Sequence, residues 1–362
     1  MNRKYKLIRY CFVATVTSFL FVVQSKIIPA ILSQPAPGAE ITWEKPFSKD
    51  SIWNTPIGSK AIYKAANLEA SSSTSFDIEL LFKVTNKDPF TKLYAPGSWV
   101  NRCSGTKNPS NPNDKIYIRF PKNKIVPDTN PPHTPNNVSS ILQPDGKTII
   151  AVAPLARCKA GGPVYGWYFK KQSLLGKGIT GGHGGSFLSG IGGTIRQGEL
   201  VGDRQINHVL KVNVWWKKYL SYNKQDKTPG YRWPAKVADS YAAERYGGSL
   251  PPFQMGALLA IPKQVTPESL NLKSKPALKL FYTLQNYGAY VVDDTAWDVT
   301  AFNLQEGVKE EFKQTYGYDF ETNDRNSQWF KEYYSLIKSL HIITNNTPKS
   351  IGGGGDRNIV SR

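Results

Sequence analysis

Through the middle of the chain, apolar and polar residues alternate one for one. KIYIRF (115–120), GTIRQGEL (193–200) and NHVLKVNVWW (207–216) all carry this period of two, the pattern of a strand with one face buried. SSILQPDGKTIIAVAPLA (139–156) predicts a hairpin with Asp145 and Gly146 near its turn. GGPVYGWYFKK (161–171) is aromatic and strand-prone, while FDIELLFKVT (76–85) has the look of a helix. Further on the period changes. In 274–288 the apolar residues fall at Ala277, Leu280, Phe281, Leu284 and Tyr287, with Pro276 in the first turn and Gly288 at the end, which predicts an amphipathic helix. AYVV (289–292) reads as a strand that delivers Asp293 and Asp294 at its exit, and 306–317 and 326–340 predict two terminal helices. No internal repeat is present. The expected fold is mainly β, a sandwich or jelly-roll-like arrangement, with helices added toward the C-terminus.

The first 25 residues change the picture. MNRKYKLIRY is positive, CFVATVTSFLFVV is a 13-residue apolar run, and Ser25 is small, which is the layout of a secretory signal peptide. The run is short for a spanning helix, which needs about 20 residues, although an uncleaved N-terminal anchor is the alternative because IIPAIL (27–32) follows closely. The expected organisation is a signal peptide over 1–25, a Pro-rich linker over 26–45, one β-rich globular domain with late helices over 46–345 and a Gly-rich tail over 346–362. No later segment is apolar enough to span a membrane, and the expected location is secreted or periplasmic.

The formal charge is +19. Arg3, Lys4, Lys6 and Arg9 lie in the signal segment, leaving about +15 for the rest. That balance favours an acidic polymer as partner, although a generally basic, soluble surface accounts for it equally well. The lysines are scattered, without the basic runs of a nucleic-acid arm. Cys11 falls in the signal, so the exported chain keeps Cys103 and Cys158, an even pair that predicts a disulfide. Serine-hydrolase, zinc-protease and phosphate-loop motifs are all missing, and no cofactor or metal is expected.

The chemistry concentrates in two places. GGHGGSFLSGIGGTIRQGEL (181–200) surrounds His183 with glycines and runs into Arg196 and Glu199, with His208 opening the next strand. Glycine within regular structure costs about 0.5–1 kcal/mol relative to alanine, so the cluster demands a reason. The expectation is a cleft floor beside His183, with Arg196, Glu199 and His208 on its wall and a bulge at Gly198 turning Arg196 and Glu199 to one side. An ordinary salt bridge on a strand is the bland alternative. The second place is YGAYVVDDTAWD (287–298), which carries Asp293, Asp294 and Asp298; Trp233 and Asp239 lie in YRWPAKVADSYAAERYGG (231–248). Acids beside aromatics suit sugars, because sugar rings stack on flat faces while acids and Arg bind hydroxyls. Glu199, His208, His183, Asp293 and Asp294 are therefore the expected catalytic groups, with Arg196, Asp239, Asp298 and Trp233 as substrate contacts.

The blocks PFSKDSIWNTPIG (46–58), GGTIRQGEL (192–200), YRWPAKVADSY (231–241), YGAYVVDD (287–294) and TNNTPKSIGGGG (344–355) resemble a group of exported bacterial proteins that share them in this order. The resemblance covers most of 45–355 and implies one exported domain, without an activity to carry onto residues. IRQGEL followed by INH is also similar in flavour to jelly-roll alginate lyases. The Arg–Glu spacing differs, however, Asn207 stands where Gln would be, and a Tyr-Phe-Lys-Ala-Gly block is missing. The function expected is a carbohydrate-active enzyme, a glycoside hydrolase or polysaccharide lyase, working on extracellular or envelope polysaccharide. The alternative is a non-catalytic glycan-binding or envelope-organising protein.

Overall fold

The computed structural model describes residues 41–106, 116–129, 136–169, 171–182 and 184–360. The expected signal peptide, residues 26–40 of the linker, and His183 lie outside them. Among the described residues the chain is mainly β, with thirteen strands and four α-helices. In chain order the strands begin with β1 (Tyr63–Ala65), β2 (Ser75–Lys83), β3 (Phe90–Tyr94), β4 (Tyr117–Arg119) and β5 (Val138–Leu142). Then come β6 (Thr148–Ala156), β7 (Val164–Tyr168), β8 (Gln172–Ser173) and β9 (Leu210–Trp215). The last four are β10 (Leu258–Ala260), β11 (Ala289–Thr295), β12 (Thr300–Gln305) and β13 (His341–Ile343). One sheet runs β1-β13-β10-β11-β9-β12-β2-β5-β6-β7-β3-β4, with β8 beside β6. It is mixed, since β11/β9, β12/β2, β2/β5 and β3/β7 are parallel pairs.

The hairpin expected over 139–156 is β5/β6, and Gly146 takes φ +67° at its turn. The helix expected over 274–288 is α2 (Lys275–Asn286), which follows α1 (Ala242–Arg245). The Ser274 side chain accepts from the Ala277 N–H, Pro276 occupies the first turn, and Gly288 follows at φ +76°, so sequence and cap geometry agree. The terminal helices are α3 (Val308–Tyr316) and α4 (Gln328–Lys338). Two expectations are corrected. FDIELLFKVT is strand β2, because its apolar run is buried on both faces mid-sheet, where periodicity does not separate helix from strand. GTIRQGEL is not a strand. Only Ile195 bridges to Leu304, and the chain then turns, with the Glu199 N–H on the Arg196 carbonyl and Gly198 at φ +81°.

The helices cover one sheet face, where Leu280, Phe281, Phe312 and Tyr333 pack on Val212, Val291 and Phe302. On the other face Trp53, Ile191 and Leu188 pack on Tyr290, Val292 and Leu258. Both ends of the expected domain are tied down. Trp43, assigned to the linker, is buried, and the tail lies along 58–60 through Gly352 and Gly354 carbonyls that accept from the Gly58 and Lys60 N–H groups. The Cys103–Cys158 disulfide is formed and spans 55 residues.

The second face carries an uncommon feature at its centre. Lys211 on β9, Glu79 on β2, Asn303 on β12 and Ser140 on β5 are all fully buried. Lys211 Nζ donates to Glu79 Oε1 (2.9 Å) and to the Gly190 carbonyl (2.8 Å), and the Asn303 amide donates to the same carboxylate oxygen (3.1 Å). Burial pushes the Lys211 ammonium down, and Glu79 opposes the shift. Removing one partner of such a pair leaves a buried uncompensated charge and costs about 3–5 kcal/mol. Lys211→Ala is thus expected to lower unfolding free energy in urea by about that amount, whereas Lys211→Met combined with Glu79→Leu should recover most of it. Equal stabilities for Lys211→Ala and wild type would dismiss the pair as an organiser of this face.

Candidate functional site

The polar row continues along the same face to the C-terminal end of β11. Register places Asp293 opposite Asn213 of β9, after an irregularity between Val291 and Asp293. There Asp293, Asp294 and Asp239 bring carboxylate oxygens within 4.8 Å of one another. Asp293 Oδ1 accepts from the Gly185 and Asp294 N–H groups (3.0 Å each), and its Oδ2 accepts from the Asn136 amide (3.2 Å). The same Asn136 amide donates to Asp77 Oδ2 at 2.6 Å. Tyr246 donates to Asp239 (2.5 Å), and Tyr241 donates to both oxygens of Asp294 (3.1 and 3.0 Å).

The glycines of 181–185 find their reason here. A Cβ on Gly184 would lie 2.1 Å from Asp293 Oδ2, and one on Gly185 would lie 2.3 Å from Asp239 Oδ2. Such contacts are far inside van der Waals range, so any side chain would displace the carboxylates. Bare backbone is what lets the Gly185 N–H reach Asp293.

Burial and crowding together decide the charge state. Burial and then the neighbouring Asp239 and Asp294 charges hold the Asp293 carboxyl well above the usual range, against the opposing Gly185 bond. Burial and Asp239 push Asp294 up to about 7, while the Tyr241 bond and Arg245 pull the other way. Asp293 is almost fully buried, whereas Asp239 and Asp294 are half-buried and open to solvent. Close carboxylates of this kind share protons. Three carboxylates also make a hard-oxygen donor set of the sort that takes Ca²⁺ or Mg²⁺.

The remaining expected residues go elsewhere. Glu199 and His208 do meet, with His208 Nε2 3.2 Å from both carboxylate oxygens, and the Arg196 N–H donates to Glu199 at 2.6 Å. The Arg196 guanidinium turns away to the Trp43 carbonyl and stands over the Trp43 ring. This group sits before the start of β9, about five residues or roughly 16 Å of strand from the level of Asp293. The structure therefore separates Glu199 and His208 from the aspartates instead of setting them across one cleft. Asp298 lies among Lys218, Tyr219 and Tyr334, whose ionisation it affects. Trp233 packs against the Tyr290 core. Asp77, Asn136, Tyr241 and Tyr246 went unanticipated. Their signal was charged and amide residues alternating with apolar ones, as at Asp77 and Asn213, and tyrosines flanking Asp239.

No protein-family model, curated protein or solved structure matches this chain.

Burial alone would raise Glu199 and lower His208, but mutual attraction wins, leaving Glu199 below and His208 above their ordinary 4.5 and 6.5. The raised histidine contributes stability below 6.5 and loses it as pH climbs through its folded value; the lowered glutamate contributes above 4.5 and loses it as pH falls through its own. Glu199→Gln should thus depress the melting temperature most between these two values, with a smaller loss in alkali. Asp294 behaves in the opposite sense to a paired carboxylate. Its folded value of about 7 exceeds the ordinary 3.8, so its contribution is full below 3.8 and disappears as pH rises through 7. Asp294→Asn should therefore melt above wild type at about pH 8, with the gap closing by about pH 5. A variant less stable than wild type at both would mean that crowding does not strain the cluster.

Proposed function

We propose that the protein is an exported glycoside hydrolase of extracellular or cell-envelope polysaccharide, working through Asp239, Asp293 and Asp294. The observation that carries this reading is the carboxylate cluster, in which Asp294 titrates near 7 and Asp239 takes a short bond from Tyr246. Carboxylate oxygens within 4.8 Å of one another suit the close carboxyl pair of retaining hydrolysis better than the wider pair of inversion. Asp239, held by Tyr246, is the nucleophile at the anomeric carbon, while Asp294 gives its proton to the departing glycosidic oxygen. Asp294 then takes a proton from water, whose oxygen displaces Asp239 and frees the sugar. Asp293 stays protonated beneath them, fixed by Gly185 and Asn136.

Elimination is the weaker option. A lyase would need a base such as His208 or a tyrosine and a cation such as Arg196 against a uronate carboxylate. His208 and Arg196 belong to the other group, and burial together with Asp239 raises Tyr241 and Tyr246 far from useful base strength. An acidic polysaccharide remains the substrate that the net charge of +19 favours. Export through residues 1–25, cleaved or kept as an anchor, completes the proposal. The second reading, a glycan-binding protein without turnover, draws on a separate groove of about 490 Å³ lined by Phe90, Tyr117, Tyr168, Arg119 and Lys171.

Incubation with a polysaccharide panel tests the reading: new reducing ends are expected, without unsaturated product. Asp294→Asn should lose at least about a thousandfold in kcat, the upper part of what positioned acid–base catalysis contributes. Asp293→Asn, neutral like the protonated acid it replaces, should keep most of the rate. Activity should fall as pH rises through about 7, where Asp294 loses its proton. Unsaturated ends, or full activity in Asp294→Asn, would overturn the assignment.

A further inference from the structure

Five non-glycine residues among those described adopt left-handed backbone: Phe47, Asn67, Asn137, Phe187 and Asn271. Asparagine tolerates that region, and Phe47 is buried in the core. Phe187 fits neither explanation. It has φ +56° and is 45% exposed. A bulky side chain is a true outlier there, and glycine or asparagine would hold the turn with less strain.

The turn itself is firmly placed. Ser186 and Leu188, on either side, are fully buried; the Ser186 carbonyl accepts from the Lys236 N–H, and the Phe187 carbonyl accepts from the Gly182 N–H. Gly184 and Gly185, in the same turn, lie directly on the Asp293 and Asp239 carboxylates. Phe187 is two residues beyond Gly185, at most about 7.6 Å of chain. Among the ring contacts of the described residues its exposed ring meets Phe169, in a T-shaped pair with centroids 5.9 Å apart at 71°. Strain of this kind is held in place by the surrounding structure and clusters at active sites and ligand clamps.

We propose that Phe187 is the stacking platform for a pyranose ring of the substrate, presented beside Asp239 and Asp294 by the glycine turn. The inference rests on the hydrolase reading for its choice of ligand. The apolar C–H face of a sugar lies on an aromatic face regardless of the charge on its substituents. Phe187 therefore contributes to holding the chain, and the carboxylates act on the bond.

The test uses affinity electrophoresis through gels containing polygalacturonate or a soluble neutral β-glucan, together with thermal melting and steady-state kinetics. Phe187→Gly should weaken retardation and raise KM at least tenfold, while its melting temperature equals or exceeds that of wild type because the backbone strain is gone. Phe187→Trp should keep affinity, and Asp294→Asn should bind like wild type. Retardation in one gel and not the other identifies an acidic or a neutral chain, and either supports the platform. Unchanged affinity in Phe187→Gly, a lowered melting temperature with intact affinity, or no retardation of wild type in either gel overturns it. Turnover with an unchanged KM in Phe187→Gly would remove the platform and leave the hydrolase standing. Binding lost in Phe187→Gly, with no turnover by wild type, would do the reverse.

Discussion

A lysine and a glutamate with no access to water sit at the middle of the sheet. Lys211 and Glu79 come from β9 and β2, with β12 between them. Burying two charges costs several kcal/mol apiece before their attraction is counted, so the surroundings must supply further bonds. Asn303 from the intervening strand gives one, and the carbonyl of Gly190 gives another. The second requires a loop to lie flat on the sheet, and the glycine-rich segment does so. Gly190 faces Ser140, and Gly192 faces the Trp53 ring. The ion pair and the loop thus specify each other, and the loop that roofs the pair also carries Gly184 and Gly185 onto the aspartates.

The row of polar groups extends both ways from that pair. Toward the start of β9, Arg196 influences Lys211 and leads to Glu199 and His208. Toward the end of the strands, Asp77 takes bonds from Asn213 and Asn136, and Asn136 reaches Asp293. The ends differ in electrostatic character. Glu199 and His208 are complementary, so each holds the other charged and the group favours the fold. Asp239, Asp293 and Asp294 are alike and crowded, so protonation relieves them. Groups of the first kind are explained by stability. The second kind raises acids into the range where protons move near neutral pH, and this contrast makes the aspartates the better candidates for chemistry.

Much of this was legible in the sequence. The cap residues of α2, the hairpin turn at Gly146 and the disulfide follow local rules that a sequence carries openly. The glycine cluster, the Glu199–His208 encounter and the acids leaving β11 were visible as unusual features. Their grouping was not. Glu199 and Asp293 are both acids near polar clusters, and only the register of β9 against β11 reveals that they occupy opposite ends of one face. β2 misled for a related reason: its apolar run fits helix and strand alike, and only the neighbouring strands show that Asp77 and Glu79 point into a shared interior row. Sequence periodicity reports which residues share a face of one element, whereas a row crossing β2, β12 and β9 depends on pairings between residues distant in the chain, such as Asn303 with Asp77 and Ala301 with Asn213.

The loop therefore meets two demands that conflict in sequence. Lying on Lys211, Ser140 and the carboxylates excludes side chains, which favours glycine and gives up conformational entropy on folding. Holding its position without side chains of its own requires anchors, and Ser186, Leu188 and Ile191 supply them, all fully or almost fully buried between the bare positions. The alternation of glycine and anchor accounts for the composition of 184–193 better than flexibility does. A mobile glycine loop would carry polar residues between its glycines; this one carries buried residues and a single exposed ring. Its glycines permit close approach, its anchors set the distance, and Phe187 is the position that neither requirement explains.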